Sequence, residues 1–203
     1  MNSLFLPTYF PSISHFVAMV NAETITFEVD DNFQKQTNRN RMYIYSPNGL
    51  QLLNIPIKHS KNAHQKTKDI QLETAFDWQK QHFKSLEAAY RSSPFFEYFE
   101  DDLAPIFQKK HTFLMDLNFE TIAFIAKSMR WALEFSTTTE YFSEVPNTKD
   151  FRFLADGKKD ISTFENYPQV FQEKEGFLNN LSVLDLLFNE GKFAMDYLKK
   201  QTF

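Results

Sequence analysis

Two kinds of hydrophobic pattern divide the chain: short β-type runs occupy its first third and helical spacing prevails afterwards. Residues 4–6 read as a short buried strand that Pro7 ends. After Pro11, the residues Ile13, Phe16, Val17 and Val20 recur at helical spacing over 12–20. Residues 24–29 are rich in β-formers and too short for a helix, so they predict a second strand. Strand, helix, strand in that order predicts a right-handed β-α-β unit with parallel strands. Residues 41–55 hold two β-rich runs around Asn48-Gly49, a strong hairpin signal.

Residues 59–68 are polar and without apolar periodicity, which predicts an exposed loop before a short strand over 69–72. Thr74-x-x-Asp77 resembles a capping box, and Phe76, Trp78, Phe83, Leu86 and Tyr90 mark a helix that ends before Pro94. A further helix is predicted over 95–107 despite Pro105, and a long one over 112–135. Residues 137–167 mix short apolar runs with Pro146 and Gly157, and predict loops with edge strands. Leu181, Leu184, Leu187 and Phe188 mark a last amphipathic helix, with Gly191 as its stop and further turns through Tyr197. The expected fold is α/β: an N-terminal β-α-β unit and a β-hairpin in a small mixed sheet, a helical C-terminal half, and one domain over 1–203.

Composition narrows the function. With 22 Lys and Arg against 26 Asp and Glu, the formal charge of −4 argues against a nucleic-acid partner. The absence of Cys removes thiolate metal sites and cysteine nucleophiles. No G-x-G-x-x-G, P-loop, H-E-x-x-H or G-x-S-x-G is present, and four Gly leave little material for phosphate loops. The 24 Phe point to a rich aromatic core rather than a base-stacking surface, which would need a basic groove. No run approaches the roughly 20 apolar residues of a spanning helix, so no integral membrane segment is expected. The opening lacks a basic region and is broken by Pro7 and Pro11, which predicts a cytoplasmic protein.

Candidate chemistry concentrates in the almost wholly polar stretch 30–41, between two predicted strands, where α/β sheets place ligand loops. Arg39 and Arg41 could clamp a phosphate or carboxylate, and alternation on a strand would put both on one face. They could equally form surface ion pairs with Asp30 and Asp31. The two aspartates could also hold magnesium against a phosphate, a weaker reading, and no metal site is assigned. Trp78 and His82 share a helix face, where His82 could move protons or serve as a structural hydrogen-bond partner. His15, at the start of the first helix, could contact an anion. His59 and His64 are expected to be solvated.

Several motifs occur together in one order: Leu6-Pro7-Thr8-Tyr9-Phe10-Pro11, Asp31-x-Phe33-x-Lys35 with Asn38-Arg39-Asn40-Arg41, Asn48-Gly49 before Ile55-Pro56, and Lys68-Asp69-Ile70 leading to Trp78-x-x-x-His82. Together they resemble the WbqC-like family, and Tyr90-Arg91-Ser92-Ser93-Pro94-Phe95 and Phe177-Leu178-Asn179-Asn180-Leu181-Ser182 look like its Bacteroidetes version. The resemblance implies a place in O-antigen or other surface-polysaccharide synthesis, with glycine or another acyl group transferred to a nucleotide- or lipid-linked sugar. In that reading His82 or His15 is catalytic, while Asp31, Lys35, Asn38, Arg39, Arg41, Trp78 and Tyr9 bind a nucleotide-sugar or acyl donor. Relatives often carry His-Gln-Pro where this chain has Phe5-Leu6-Pro7. The competing expectation is a non-catalytic binding or scaffold protein of a polysaccharide-assembly complex. Cofactor and oligomeric state are not specified by any motif.

Overall fold

The computed structural model describes residues 2–58 and 64–203. β1 (Asn2–Phe5), α1 (Ile13–Val20) and β2 (Thr24–Phe27) form the expected β-α-β unit, with β1 and β2 parallel from Asn2 opposite Thr24 to Phe5 opposite Phe27. β3 (Arg41–Ser46) and β4 (Gly49–Asn54) pair antiparallel as a separate two-stranded sheet. Pro47 and Asn48 make the turn, and Gly49, at φ 87°, already pairs with Ser46. Pro in the second turn position and Gly in the fourth suit a type I reversal, so the chain turns one residue earlier than Asn-Gly alone suggests.

Two short strands from the poorly patterned stretch complete the first sheet at its edges. β5 (Ser136–Thr137) pairs with β2, and β6 (Thr148–Asp150) pairs with β1. The order is β5-β2-β1-β6 and every pair is parallel, so all four carboxyl ends lie along one rim. The helices that follow the hairpin are α2 (Trp78–Tyr90), α3 (Phe96–Gln108), α4 (Leu114–Ser128), α5 (Gln172–Glu175), α6 (Val183–Glu190) and α7 (Ala194–Lys200). α3 runs through Pro105 as expected. Among the described residues, no helix is long and apolar enough to cross a membrane.

Three local expectations are corrected. Asp77, rather than Thr74, caps α2, its carboxylate accepting from the Lys80 N–H. The strand over 69–72 reduces to single bridges, Ile57 with Leu72 and Gln71 with Phe113, after a 3-10 turn over Thr67–Asp69. α4 stops at Ser128 because Arg130 takes the left-handed conformation at φ 55°; the Arg130 and Trp131 N–H groups then bond back to the Lys127 and Ala126 carbonyls. That is the closure glycine usually supplies, made here by arginine. Of the loop expected over 59–68, His59 lies outside the described residues, and His64 is exposed.

Helix starts are secured reciprocally. The first N–H of α1, from Ile13, bonds to the Leu181 carbonyl, and the first of α6, from Val183, bonds to the Pro11 carbonyl. Each start thus satisfies a donor that an isolated helix leaves open. The Ser182 hydroxyl also donates to the Phe10 carbonyl at 2.9 Å, fixing the segment after β1 against α6. Aromatic rings pack in clusters, Phe10 beside this junction against Phe107 and Phe124, and Phe27 at the end of β2 against Phe119 and Phe135.

Gly191 sits after α6 at φ 55°, and a Cβ there would fall 2.6 Å from the Phe95 ring. Gly191→Ala combines left-handed strain with overpacking and is expected to cost about 2 kcal/mol or more in urea denaturation. A loss below about 0.5 kcal/mol would mean that the ring yields freely.

Candidate functional site

The rim formed by the carboxyl ends of the parallel strands opens on a cavity of about 470 Å³. Leu6 reaches it from the end of β1, Asp31 and Asn32 from the segment after β2, Tyr141 from the segment after β5, and Asp150, Arg152 and Asp156 from the end of β6 and beyond. Gln34, Arg39, Phe153 and Lys159 complete the lining. Open α/β sheets bind ligands at this end because every loop that leaves a strand converges there.

Two ion pairs make its floor, Asp31–Arg39 buried and Asp150–Arg152 at its more open side. Arg39 is 3% exposed and Asp31 4% exposed. The guanidinium donates through Nε at 3.0 Å and Nη2 at 2.7 Å to one oxygen of Asp31, and through Nη1 to Thr37 Oγ1 at 3.1 Å. Asp31 Oδ1 is buried and receives no hydrogen bond from the described residues. Arg152 forks onto Asp150, with Nε to both oxygens at 3.0 Å, and its Nη1 lies 3.9 Å from the buried Glu28 carboxylate. Burial pushes the Asp150 carboxyl up, but the hydrogen bonds from Arg152 outweigh it and hold the group below its ordinary value. The remaining donors of Arg152 reach the Phe142 carbonyl at 2.7 Å and the Ser143 carbonyl at 2.9 Å, and the guanidinium lies 5.3 Å from the Tyr141 ring centre. One arginine therefore fixes the segment that carries Tyr141 over the cavity.

The residues expected from sequence divide among five places. Asp31 and Arg39 line this cavity. Arg41 does not share a face with Arg39, because residues 35–40 turn, with Gln36 at φ 63°, and β3 begins only at Arg41. Arg41 and Lys35 instead line a second cavity on the other side of the same segment. Tyr9, Trp78 and His82 pack together in the core, with the Tyr9 hydroxyl 3.0 Å from His82 Nδ1 and the Trp78 ring edge-on to both. Burial lowers the His82 imidazole to about 4, against a smaller upward pull from a hydrogen bond to the Asn54 backbone. Asn38 acts through its backbone, receiving the Tyr9 N–H at 3.0 Å and donating to the Ala155 carbonyl at 2.8 Å, which ties the β1 segment to the β6 segment.

His15 is 1% exposed, neither ring nitrogen has a hydrogen-bond partner among the described residues, and its ring stacks on Phe5 at 5.4 Å. Burial lowers it to about 4, with Asp160 pulling the other way. Phe5, where the family resemblance places a histidine, is enclosed between His15 and Phe151. Asp30 pairs with Lys68 at 2.6 Å and Asp31 with Arg39, so each aspartate already holds a cation. Among the described residues, no three His, Asp or Glu side chains gather as a metal site.

Sequence reasoning held Asn32 and Gln34 only as part of the polar stretch 30–41, and missed Glu28, Tyr141, Asp150, Arg152, Phe153, Asp156 and Lys159. The available signal was Asp150-Phe151-Arg152, an acid and a base two apart, in a stretch too polar to declare itself a strand.

Comparison with known proteins agrees with the motif order. A model of the WbqC-like protein family matches residues 7–159. The uncharacterized protein Rv1507c of Mycobacterium tuberculosis (strain ATCC 25618 / H37Rv) is 28% identical over 219 residues, covering 94% of each chain. No solved structure matches the chain. The family match spans the whole cavity lining except Leu6. The chain belongs to the WbqC-like protein family.

Proposed function

We propose that the chain, acting as one domain, binds a sugar conjugate in the cavity at the carboxyl rim and serves as a glycine- or acyl-type transferase on a nucleotide- or lipid-linked sugar of surface polysaccharide. The observation that carries this reading is the convergence of all four strand-end segments on one polar cavity of about 470 Å³. Its lining balances Asp31, Asp150 and Asp156 against Arg39, Arg152 and Lys159, adds the amides of Asn32 and Gln34, and sets the rings of Tyr141 and Phe153 beside them. Carboxylates and amides match the paired hydroxyls of a sugar, and aromatic faces accept its C–H side. A balanced charge suits a polar ring better than a bare polyanion.

In this reading Asn32, Asp156 and Lys159 touch the substrate, and the Asp31–Arg39 pair fixes the floor beneath it. Tyr9, Trp78, His82 and His15 are positioning residues that hold the segment after β1 from behind. The test is a thermal-shift titration with hexose and aminohexose 1-phosphates, comparing the natural protein with Asn32→Ala and Asp156→Ala. A ligand at a hundred times its dissociation constant adds about 2.7 kcal/mol, and that stabilisation should vanish in both variants. Stabilisation that survives both substitutions would move the site elsewhere.

The second reading, a scaffold of polysaccharide assembly, draws on the fact that Arg39, Arg41 and the Trp78/His82 pair do not share one cavity. It predicts no shift with any sugar phosphate.

A further inference from the structure

The segment that walls the rim cavity has a second face. Asp31, Asn32, Gln34 and Arg39 line the rim cavity, while Phe33, Lys35, Asn40 and Arg41 line another of about 460 Å³ together with Glu73 and Phe76. The two differ in charge. Both arginines of the rim cavity are paired with carboxylates. In the second cavity, Arg41 is tied at Nε to a neutral partner, Asn54 Oδ1 at 3.1 Å, and neither Arg41 nor Lys35 has a carboxylate partner among the described residues. Two cations without counter-charges, set against the single Glu73, favour an anion.

The aromatic lining defines the rest of the ligand. Phe76 is 65% exposed beside the half-buried Phe33, an apolar aromatic lining that water solvates poorly and a planar ring would cover. A planar ring for Phe33 and Phe76, hydroxyls for Glu73 and a terminal anion for Lys35 and Arg41 together describe a nucleotide.

We propose that this second cavity is a nucleoside diphosphate site, with the base against Phe33 and Phe76, the ribose hydroxyls toward Glu73, and the phosphates on Lys35 and Arg41. The preference for a diphosphate over other aromatic anions rests on the proposed action on an activated sugar, whereas the cavity's charge and aromatic lining stand apart from it.

The experiment is calorimetric titration of the purified chain with uridine diphosphate and adenosine diphosphate, neither of which carries a sugar substituent on its phosphate. Phe76→Ala and Lys35→Ala, both at exposed positions, are each expected to raise the dissociation constant about tenfold. Asn32→Ala and Asp156→Ala, in the rim cavity, should leave it unchanged. No saturable binding of either diphosphate up to millimolar concentration would overturn the proposal, as would binding lost in the rim variants and kept in Phe76→Ala and Lys35→Ala. Equal binding of inorganic phosphate, with no effect of Phe76→Ala, would equally overturn it by reducing the site to an anion contact. Because sugar 1-phosphates report on the rim cavity and sugar-free diphosphates on this one, either reading can fail while the other stands.

Discussion

Asp31→Ala is expected to destabilise the protein by about 3–5 kcal/mol, the loss typical of stripping one partner from a buried ion pair. The reason is the burial of what remains. Arg39 is almost wholly enclosed, and two of its donors end on the same Asp31 oxygen. Without that carboxylate, the charge keeps only Thr37 Oγ1 as a side-chain partner while staying almost wholly enclosed. Asp31→Asn retains the volume and one acceptor and should cost less. The double variant Asp31→Leu/Arg39→Met removes both charges and should recover much of the loss, since a buried pair is often no better than apolar side chains of similar size. Urea denaturation of the three variants checks this. A single-variant loss under about 1 kcal/mol, the range of exposed pairs, would show that the pair is effectively solvated.

Acid should unfold this protein earlier than its carboxylates alone would, and the cause is a pair of buried imidazoles. His15 and His82 are both lowered from 6.5 to about 4 by burial. Above pH 6.5 they are neutral in both states and cost nothing. As the pH falls from 6.5 toward 4, the unfolded chain takes up two protons that the folded chain refuses, so stability drops by about 3 kcal/mol for each histidine. Asp185 works against this. Burial raises its carboxyl to about 6, although Tyr167, Tyr90 and Gln169 all donate to it, so folding gains stability from its protonation between pH 6 and 3.8. That return is also about 3 kcal/mol, leaving a net loss of about 3 kcal/mol.

His15→Phe isolates one of the two. Because neither nitrogen of His15 has a partner among the described residues, the substitution removes unsatisfied polar atoms and keeps the ring against Phe5. It should stabilise the fold at pH 7 by about 1–2 kcal/mol and halve the histidine part of the acid slope. His82→Phe would instead leave the Tyr9 hydroxyl without its 3.0 Å partner, and should cost stability at pH 7. Denaturation midpoints from pH 4 to 8 distinguish these outcomes, and an unchanged slope in His15→Phe would contradict the assignment.

What could be read from the sequence followed how far apart the interacting residues lie. The strand, helix and strand at the start, and the hairpin, rest on neighbouring residues and were legible. The end of α4 was not, because the usual signal there is glycine and Arg130 takes that role instead. The edge strands β5 and β6 are two and three residues long and polar, so their pairing with β2 and β1 leaves no local pattern. The site shows the same limit. The stretch 30–41 announced itself by its polarity, and Asp31 and Arg39 do meet. That Arg39 and Arg41 face opposite cavities depends on a turn over 35–40 that alternation does not reveal. Arg152 and Glu28 lie far apart in the chain and come together only because β6 and β2 both flank β1.

The most direct test of the rim cavity as the substrate site is a map of backbone amide chemical shifts of the labelled protein, recorded with and without saturating aminohexose 1-phosphate. Changes are expected to concentrate at Asn32, Gln34, Phe153, Asp156 and Lys159, with residues around Phe76 and Glu73 unmoved. Changes confined to the Phe76 side, or none at saturation, would contradict it.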